Sequence, residues 1–142
     1  MRVLVLGSNG QIGRCLQDQL KTNNFEIIYT SRKEIDISNF EETKKKITNI
    51  NPSIIINASA YTNVDKAEED IANSNIVNNL AVANLANISF EFGYWLIHIS
   101  TDYVFDGKST TPYSEKDKVD PQSVYGFSKL KGELSIKSSK CN

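Results

Sequence analysis

Tyr125 and Lys129 stand four residues apart near the start of a helical stretch, a spacing that places both side chains on one face. A free phenol titrates at about 10, too high for ready proton exchange at neutral pH, and a neighbouring ammonium lowers that value by favouring phenolate. The pair can therefore act as an acid or a base. Thr101 lies just beyond an apolar strand, where its hydroxyl could donate a hydrogen bond that aims a carbonyl at such an acid.

A second group of residues suits a phosphate. Gly7, Gly10 and Gly13 form GxxGxxG between an apolar run and a helical pattern, where backbone N–H groups and the helix dipole can hold a pyrophosphate above Gln11 and Ile12. After the second strand, where a dinucleotide site for NAD usually offers an acid to the ribose 2′-OH, the chain reads Thr30-Ser31-Arg32. A guanidinium suits a 2′-phosphate, which it can bind bidentately, so NADPH is the expected cofactor, with NADH as the other possibility. In the reducing direction Tyr125 would protonate a carbonyl oxygen as hydride arrives from the nicotinamide, and Lys129 would also hold the nicotinamide ribose.

These residues need a frame. Val3 to Leu6 is a continuous apolar run, Ile12, Leu16 and Leu20 recur at helical spacing, and Phe25 to Tyr29 gives a second strand. Phe40, Ile47 and Ile50 mark a helix, Ile54 to Ile56 a buried strand, Glu69 to Phe92 a long helix closed by Gly93, and Trp95 to Ile99 a fourth strand. Alternation of this kind predicts an α/β fold, a doubly wound parallel sheet of Rossmann type with strand order 3-2-1-4. Residues 100 to 122 form a long polar loop at the C-terminal end of strand four, where open sheets bind their ligands. A last helix begins near Ser123 and leads to a polar tail, Lys137 to Asn142. A complete fold of this type continues past that point, so residues 1–142 are expected to be a dinucleotide-binding domain that is C-terminally incomplete.

Bulk properties narrow the class. The 142 residues suffice for one domain, and 39% hydrophobic with 23% charged residues is a globular balance. Net charge is −1, and Lys44 to Lys46, the one basic cluster, reads as the wet side of a helix, so no nucleic-acid partner is expected. No signal-peptide core or run of eighteen apolar residues occurs, which argues against a membrane. Cys15 and Cys141 match no metal or redox spacing, in keeping with a reducing cytoplasm. His98 lies in an apolar strand without ligand-spaced partners and reads as structural, as do Asp65, Glu68, Glu69 and Asp70 at the beginning of a helix. No metal is implied. Tyr103 is either a core aromatic or a substrate contact, and Phe105 reads as core.

The runs STDYVFDG (Ser100 to Gly107), NASAYTNVDKAE (Asn57 to Glu68) and YGFSKLKGE (Tyr125 to Glu133) resemble the signatures of the dTDP-4-dehydrorhamnose reductases, a family of extended short-chain dehydrogenases. Pro112, Tyr113, Glu115, Asp117 and Pro121 fall at similar spacing, and the GxxGxxG variant is also that of the extended dehydrogenases. The resemblance implies NADPH-dependent reduction of the 4-keto group of a dTDP-6-deoxy sugar to give dTDP-L-rhamnose, for cell-surface polysaccharide, with Thr101, Tyr125 and Lys129 as catalytic trio. It further implies that Asp36 and Ile37 contact the adenine, although Asp36 also suits the start of a helix. Ala58, Ser59, Ala60, Tyr61 and Thr62 would line the cofactor, and Thr62, Val64, Asp102 and Tyr103 would approach the sugar nucleotide. A C-terminal substrate-binding region and, at full length, a homodimer are expected of such a protein. Two rivals share the scaffold: a nucleotide-sugar epimerase or dehydratase, and a non-catalytic binding protein similar to the regulatory subunit of methionine adenosyltransferase.

Overall fold

The structure is a computed structural model that describes residues 1–21 and 25–141. Its centre is β1 (Arg2–Leu6), a run of Val and Leu buried from Val3 onward. The chain continues through α1 (Gln11–Gln19), β2 (Glu26–Thr30), α2 (Phe40–Ile50) and β3 (Ile54–Asn57). Then come the short helices α3 (Val64–Ala67) and α4 (Ile71–Asn75), a π-helical turn (Ile76–Leu80), α5 (Ala81–Phe92), β4 (Trp95–His98), a 3-10 turn (Asp102–Val104) and α6 (Val124–Ser139).

All strand pairs are parallel, and the expected doubly wound class holds, but the sheet order is β2-β1-β3-β4 rather than 3-2-1-4. Right-handed crossovers allow β3 on either flank of the pair already formed, and burial decides between them. The purely apolar Ile54-Ile55-Ile56 takes the interior place between β1 and β4, whereas β2, with exposed Glu26 and half-buried Ile27 to Tyr29, stays at the edge. The segment between β2 and α2, residues 31–39, forms no strand. The Ser31 N–H and hydroxyl both donate to the Glu34 carboxylate, and the Ser38 N–H and hydroxyl to that of Asp36, which curls the segment into turns. The order therefore reverses direction between β1 and β3, and a crevice opens there at their C-terminal ends.

One face of the sheet is filled by Leu4, Leu6, Ile47, Ile55, Leu85 and Ile88, with Ile35 and Ile37 from the loop after β2. Each such side chain contributes about 1.5–3 kcal/mol on burial. The expected long helix is one helical run from Ile71 to Phe92, interrupted by the π-turn, and Gly93 at φ 73° ends it in the left-handed conformation that glycine tolerates best. Helix α6 extends into the expected polar tail. Ser138 and Ser139 turn their hydroxyls back onto the carbonyls of Ser135 and Ile136, and Asn142 lies outside the described residues. Lys44 and Lys46 pair at 2.7 Å with Glu91 and Glu42, as suits the wet side of α2. Among the described residues no helix is long and apolar enough to cross a membrane.

Candidate functional site

The glycine loop closes against the start of the segment after β3. Gly7 has φ 78°, and a Cβ on it would stand 2.8 Å from both the backbone nitrogen and the hydroxyl of Ser59. A Cβ on Gly13 would stand 2.5 Å from the Gly7 carbonyl oxygen, so α1 and the loop meet backbone to backbone. Gly10 is the N-cap of α1, and no side chain caps that end, whereas Asn39 caps α2 and Ser123 caps α6. The N–H groups of the first turn of α1 are thus left to a ligand, at the positive end of the helix dipole.

Beside this cradle lies a cleft of about 370 Å³, within the usual range for a cofactor pocket. Gly7 and Gly10 line one end, Arg32, Asp36 and Ile37 a second side, and Ala58 to Thr62 a third. Asn9, Ile35, Asn63 and Val77 complete it without having been marked by the sequence. Asn9 sits inside the glycine loop and was within reach of motif reasoning; the other three arrive by the course of loops and of the helical run. Gln11 and Ile12 are exposed on the first turn of α1 and Gly13 is buried under the loop, so these three do not line the cleft.

Arg32 is mostly exposed, and its Nε meets Asp36 Oδ2 at 3.0 Å. Burial raises the Asp36 carboxyl, but hydrogen bonds from the Ser38 hydroxyl and N–H, followed by that from Arg32, outweigh it and hold the group below its ordinary value. Arg32 also lines the cleft. An anion there would meet a cation whose back is already neutralised.

Tyr125 and Lys129 are both buried on the inner face of α6, with Gly126, Ser128 and Gly132. The start of this helix is doubly fixed. Ser123 accepts from the Gly126 N–H at 3.1 Å, and Glu68 accepts from the Val124 N–H at 2.8 Å, which gives one member of the acidic stretch a structural place. The glycines let backbones touch: a Cβ on Gly132 would stand 2.3 Å from the Asn78 carbonyl oxygen. The Tyr125 ring meets the Tyr103 ring edge to face, with centroids 5.5 Å apart. The Lys129 Nζ donates to the Ile99 carbonyl at 2.6 Å and lies 3.2 Å from His98 Nε2. Burial drives the Lys129 ammonium down to about 8, against a smaller upward pull from Glu133. Burial and then the nearby lysine drive His98 down to about 3.

Asn78, in the π-turn, joins this helix to the cleft. Its side chain accepts from the Tyr61 N–H at 2.9 Å and donates to the Tyr61 carbonyl at 3.0 Å, as a neighbouring strand would. The same amide donates to Ser128 Oγ, which in turn donates to the Tyr125 carbonyl at 2.7 Å. The cleft wall at Tyr61 and the helix bearing Tyr125 are therefore held by one buried network, fully paired, of the kind that fixes geometry.

Thr101 caps the 3-10 turn, its hydroxyl accepting from the Tyr103 N–H at 3.3 Å. Asp102 and the exposed Tyr103 line another cleft with Tyr113 and Ser123, and Val64, the first residue of α3, lines neither. Phe105 does not enter the main core as expected. It stacks on Tyr113 at 4.4 Å in the long loop, because Val104 is the residue that the 3-10 turn directs inward.

A family model described as the RmlD substrate binding domain matches residues 1–142. The dTDP-4-dehydrorhamnose reductase of Sinorhizobium fredii is 41% identical over 142 residues, 100% of this chain and 48% of that one. Among solved structures, a dTDP-4-dehydrorhamnose reductase from Clostridium acetobutylicum superposes with a TM-score of 0.94 at 42% identity, covering 97% of this chain and 49% of that one. The Bacillus anthracis dTDP-4-dehydrorhamnose reductase in complex with NADP gives a TM-score of 0.91 at 38% identity, over 96% of this chain and 48% of that one. The chain spans about half the length of the curated relatives it matches.

Proposed function

The chain belongs to the RmlD substrate binding domain family, and from that premise we propose that residues 1–142 form the NAD(P)-binding part of an NADPH-dependent reductase of dTDP-4-dehydro-L-rhamnose. One observation carries the reading: α6 sets buried Tyr125 and Lys129 at the C-terminal end of the sheet that also opens the glycine-lined cleft.

The residues present fit a dinucleotide. The cradle at Gly7 and Gly13 leaves no room for a Cβ, the uncapped N-terminus of α1 would offer N–H groups to the pyrophosphate, and Arg32 lines the cleft with a guanidinium suited to a 2′-phosphate. Asp36, Ile37 and the run Ala58 to Thr62 would hold the adenosine side and the middle of the cofactor. When bound, the nicotinamide supplies the hydride.

The chain's own residues supply the proton and the aim. Tyr125 gives its phenolic proton to the carbonyl oxygen of the sugar, and its ring is kept from turning by Tyr103. The Thr101 hydroxyl donates to the same oxygen in place of its present donation to the Asp102 carboxylate, and its lone pair still accepts from the Tyr103 N–H as cap of the 3-10 turn. Lys129, anchored on the Ile99 carbonyl, provides the cationic environment in which a phenolate can form. Thr62, Val64, Asp102 and Tyr103 approach the sugar nucleotide from the loops.

The test is stoichiometric. The whole protein with NADPH and dTDP-4-dehydro-L-rhamnose should consume one cofactor per dTDP-L-rhamnose formed. Conversion of a sugar nucleotide with no net cofactor change would identify an epimerase or dehydratase instead, and binding without conversion a regulatory protein.

A further inference from the structure

Asn57 and His98 are register partners at the ends of β3 and β4, so their side chains leave the same face of the sheet side by side. Asn57 Oδ1 accepts from the Ser59 N–H at 3.0 Å. A backbone N–H can only donate, so that contact identifies the oxygen of the amide and leaves its nitrogen as the other arm. The nitrogen lies 3.0 Å from His98 Nδ1. An NH2 group cannot accept, so Nδ1 is the bare nitrogen of the ring, and the neutral imidazole carries its proton on Nε2.

Nε2 in turn lies 3.2 Å from Lys129 Nζ. An Nε2–H can only donate there, so the contact is a hydrogen bond when Lys129 is an amine with its lone pair toward the ring. The amine keeps hydrogens for the Ile99 carbonyl at 2.6 Å. An ammonium in the same place would set two donors against each other, and Nζ would have to swing off the ring while keeping Ile99.

We propose that the chain Ser59 N–H, Asn57, His98, Lys129 is a one-way hydrogen-bond relay in which Asn57 fixes the tautomer of His98 and His98, as a positioning residue, eases the release of a proton from Lys129, whose ammonium favours phenolate at Tyr125 and whose amine closes the relay. The relay begins at the Ser59 backbone nitrogen that presses on Gly7, so the protonation of the lysine is tied to the wall of the phosphate cradle. Its consequence for turnover rests on the reductase reading above. Among the described residues His98 from β4 and Glu133 from its own helix act on Nζ, the Glu133 carboxylate raising the lysine and itself held by the Ser100 hydroxyl, and Tyr125 lies one turn earlier on the same face of α6. The low values of both His98 and Lys129 agree with a neutral ring beside a readily deprotonated ammonium.

The tautomer is read without any turnover, from the ring nitrogens of 15N-histidine in the whole protein, with the His98→Asn variant assigning the signal. A pyridine-type Nδ1 and a pyrrole-type Nε2, unchanged from about pH 5 to about pH 9, are expected for a histidine held this far from its ordinary value. Asn57→Asp reverses the relay: its carboxylate still accepts from Ser59 but can only accept from the ring, so the proton should move to Nδ1. The bare Nε2 then favours the ammonium, and the pH limb of kcat/KM belonging to Lys129 should move up by about half a unit or more. His98→Gln, which offers a carbonyl to Lys129, should move that limb the same way. A wild-type proton on Nδ1, or a ring that keeps its tautomer in Asn57→Asp, would overturn the relay. So would pH profiles of Asn57→Asp and His98→Gln that overlay the wild type. A wild type that consumes no NADPH would sink the reductase reading alone, since the nitrogen shifts decide the relay by themselves.

Discussion

Gly126 turns its bare Cα toward Tyr103: a Cβ there would stand 2.2 Å from the Tyr103 carbonyl oxygen, and the neighbouring Tyr125 ring packs on the Tyr103 ring. The obstacle is backbone, which cannot rotate aside. Gly126→Ala should therefore force the 3-10 turn off α6, costing about 1–3 kcal/mol of stability as overpacking does. Because Thr101 caps that turn and Tyr103 steadies Tyr125, kcat should fall further than affinity for NADPH. Urea unfolding with cofactor titration measures both; a variant of wild-type stability and kcat would show that the contact is slack.

Tyr125→Phe keeps the ring against Tyr103 and removes only the hydroxyl. Dissociation constants for NADPH should stay within about two-fold while turnover drops by roughly 100-fold or more, the scale of a lost general acid. Single-turnover rates make the comparison where product release does not intrude. Wild-type kcat under those conditions would remove Tyr125 from the proton transfer.

Arg32 has its Nε on Asp36 and lines the cleft. Arg32→Ala should weaken NADPH by roughly ten-fold or more relative to NADH, since a charge-assisted bond to arginine contributes about 1.5–3 kcal/mol. Equal losses for the two cofactors would make Arg32 a turn residue that meets no phosphate. Asp36→Asn, which frees the guanidinium from its partner, gives the complementary reading: tighter NADPH binding is expected.

What could be read in the chain divides along physical lines. Apolar runs and helical periodicity are local, so Val3 to Leu6, Ile54 to Ile56 and the helix of Tyr125 and Lys129 were all visible before any coordinates. Strand order is not local, and β3 took the flank of β1 that buries it on both sides. The glycine spacing was legible, but not that Gln11 and Ile12 would face solvent on the first turn of α1 while Gly13 vanished under the loop. His98 looked inert because its two partners lie on other elements. Only the β3–β4 register brings Asn57 beside it, and only the crossing of α6 brings Lys129. Asn78 lay within the expected long helix from Glu69 to Phe92, yet its pairing with both backbone groups of Tyr61 depends on how the helical run passes the loop.

Lys129 gives a stability prediction whose sign can be worked out. Its native value is down at about 8, below the 10.5 of an ordinary lysine that the unfolded chain retains. Below pH 8 both states are charged, and the native state carries the full cost of a buried cation. Between about 8 and about 10.5 the native lysine has released its proton while the unfolded one still holds it, so the unfolded state binds more protons and stability rises with pH. Above that range the cost is gone. A depression of this size corresponds to roughly 3 kcal/mol across the window. Lys129→Met cannot titrate, so the wild type should gain about that much relative to the variant between pH 8 and 10.5, whatever the offset from the lost hydrogen bonds to Ile99 and His98. Denaturant unfolding of both proteins at pH 7, 9 and about 10.5 measures the difference, with other titrating groups common to the two. A constant gap across the series would mean that Lys129 keeps an ordinary lysine's affinity for its proton in the folded state. A wild type that loses ground with pH would mean that the buried lysine is stabilised as the ammonium, by Glu133 and the Ile99 carbonyl together.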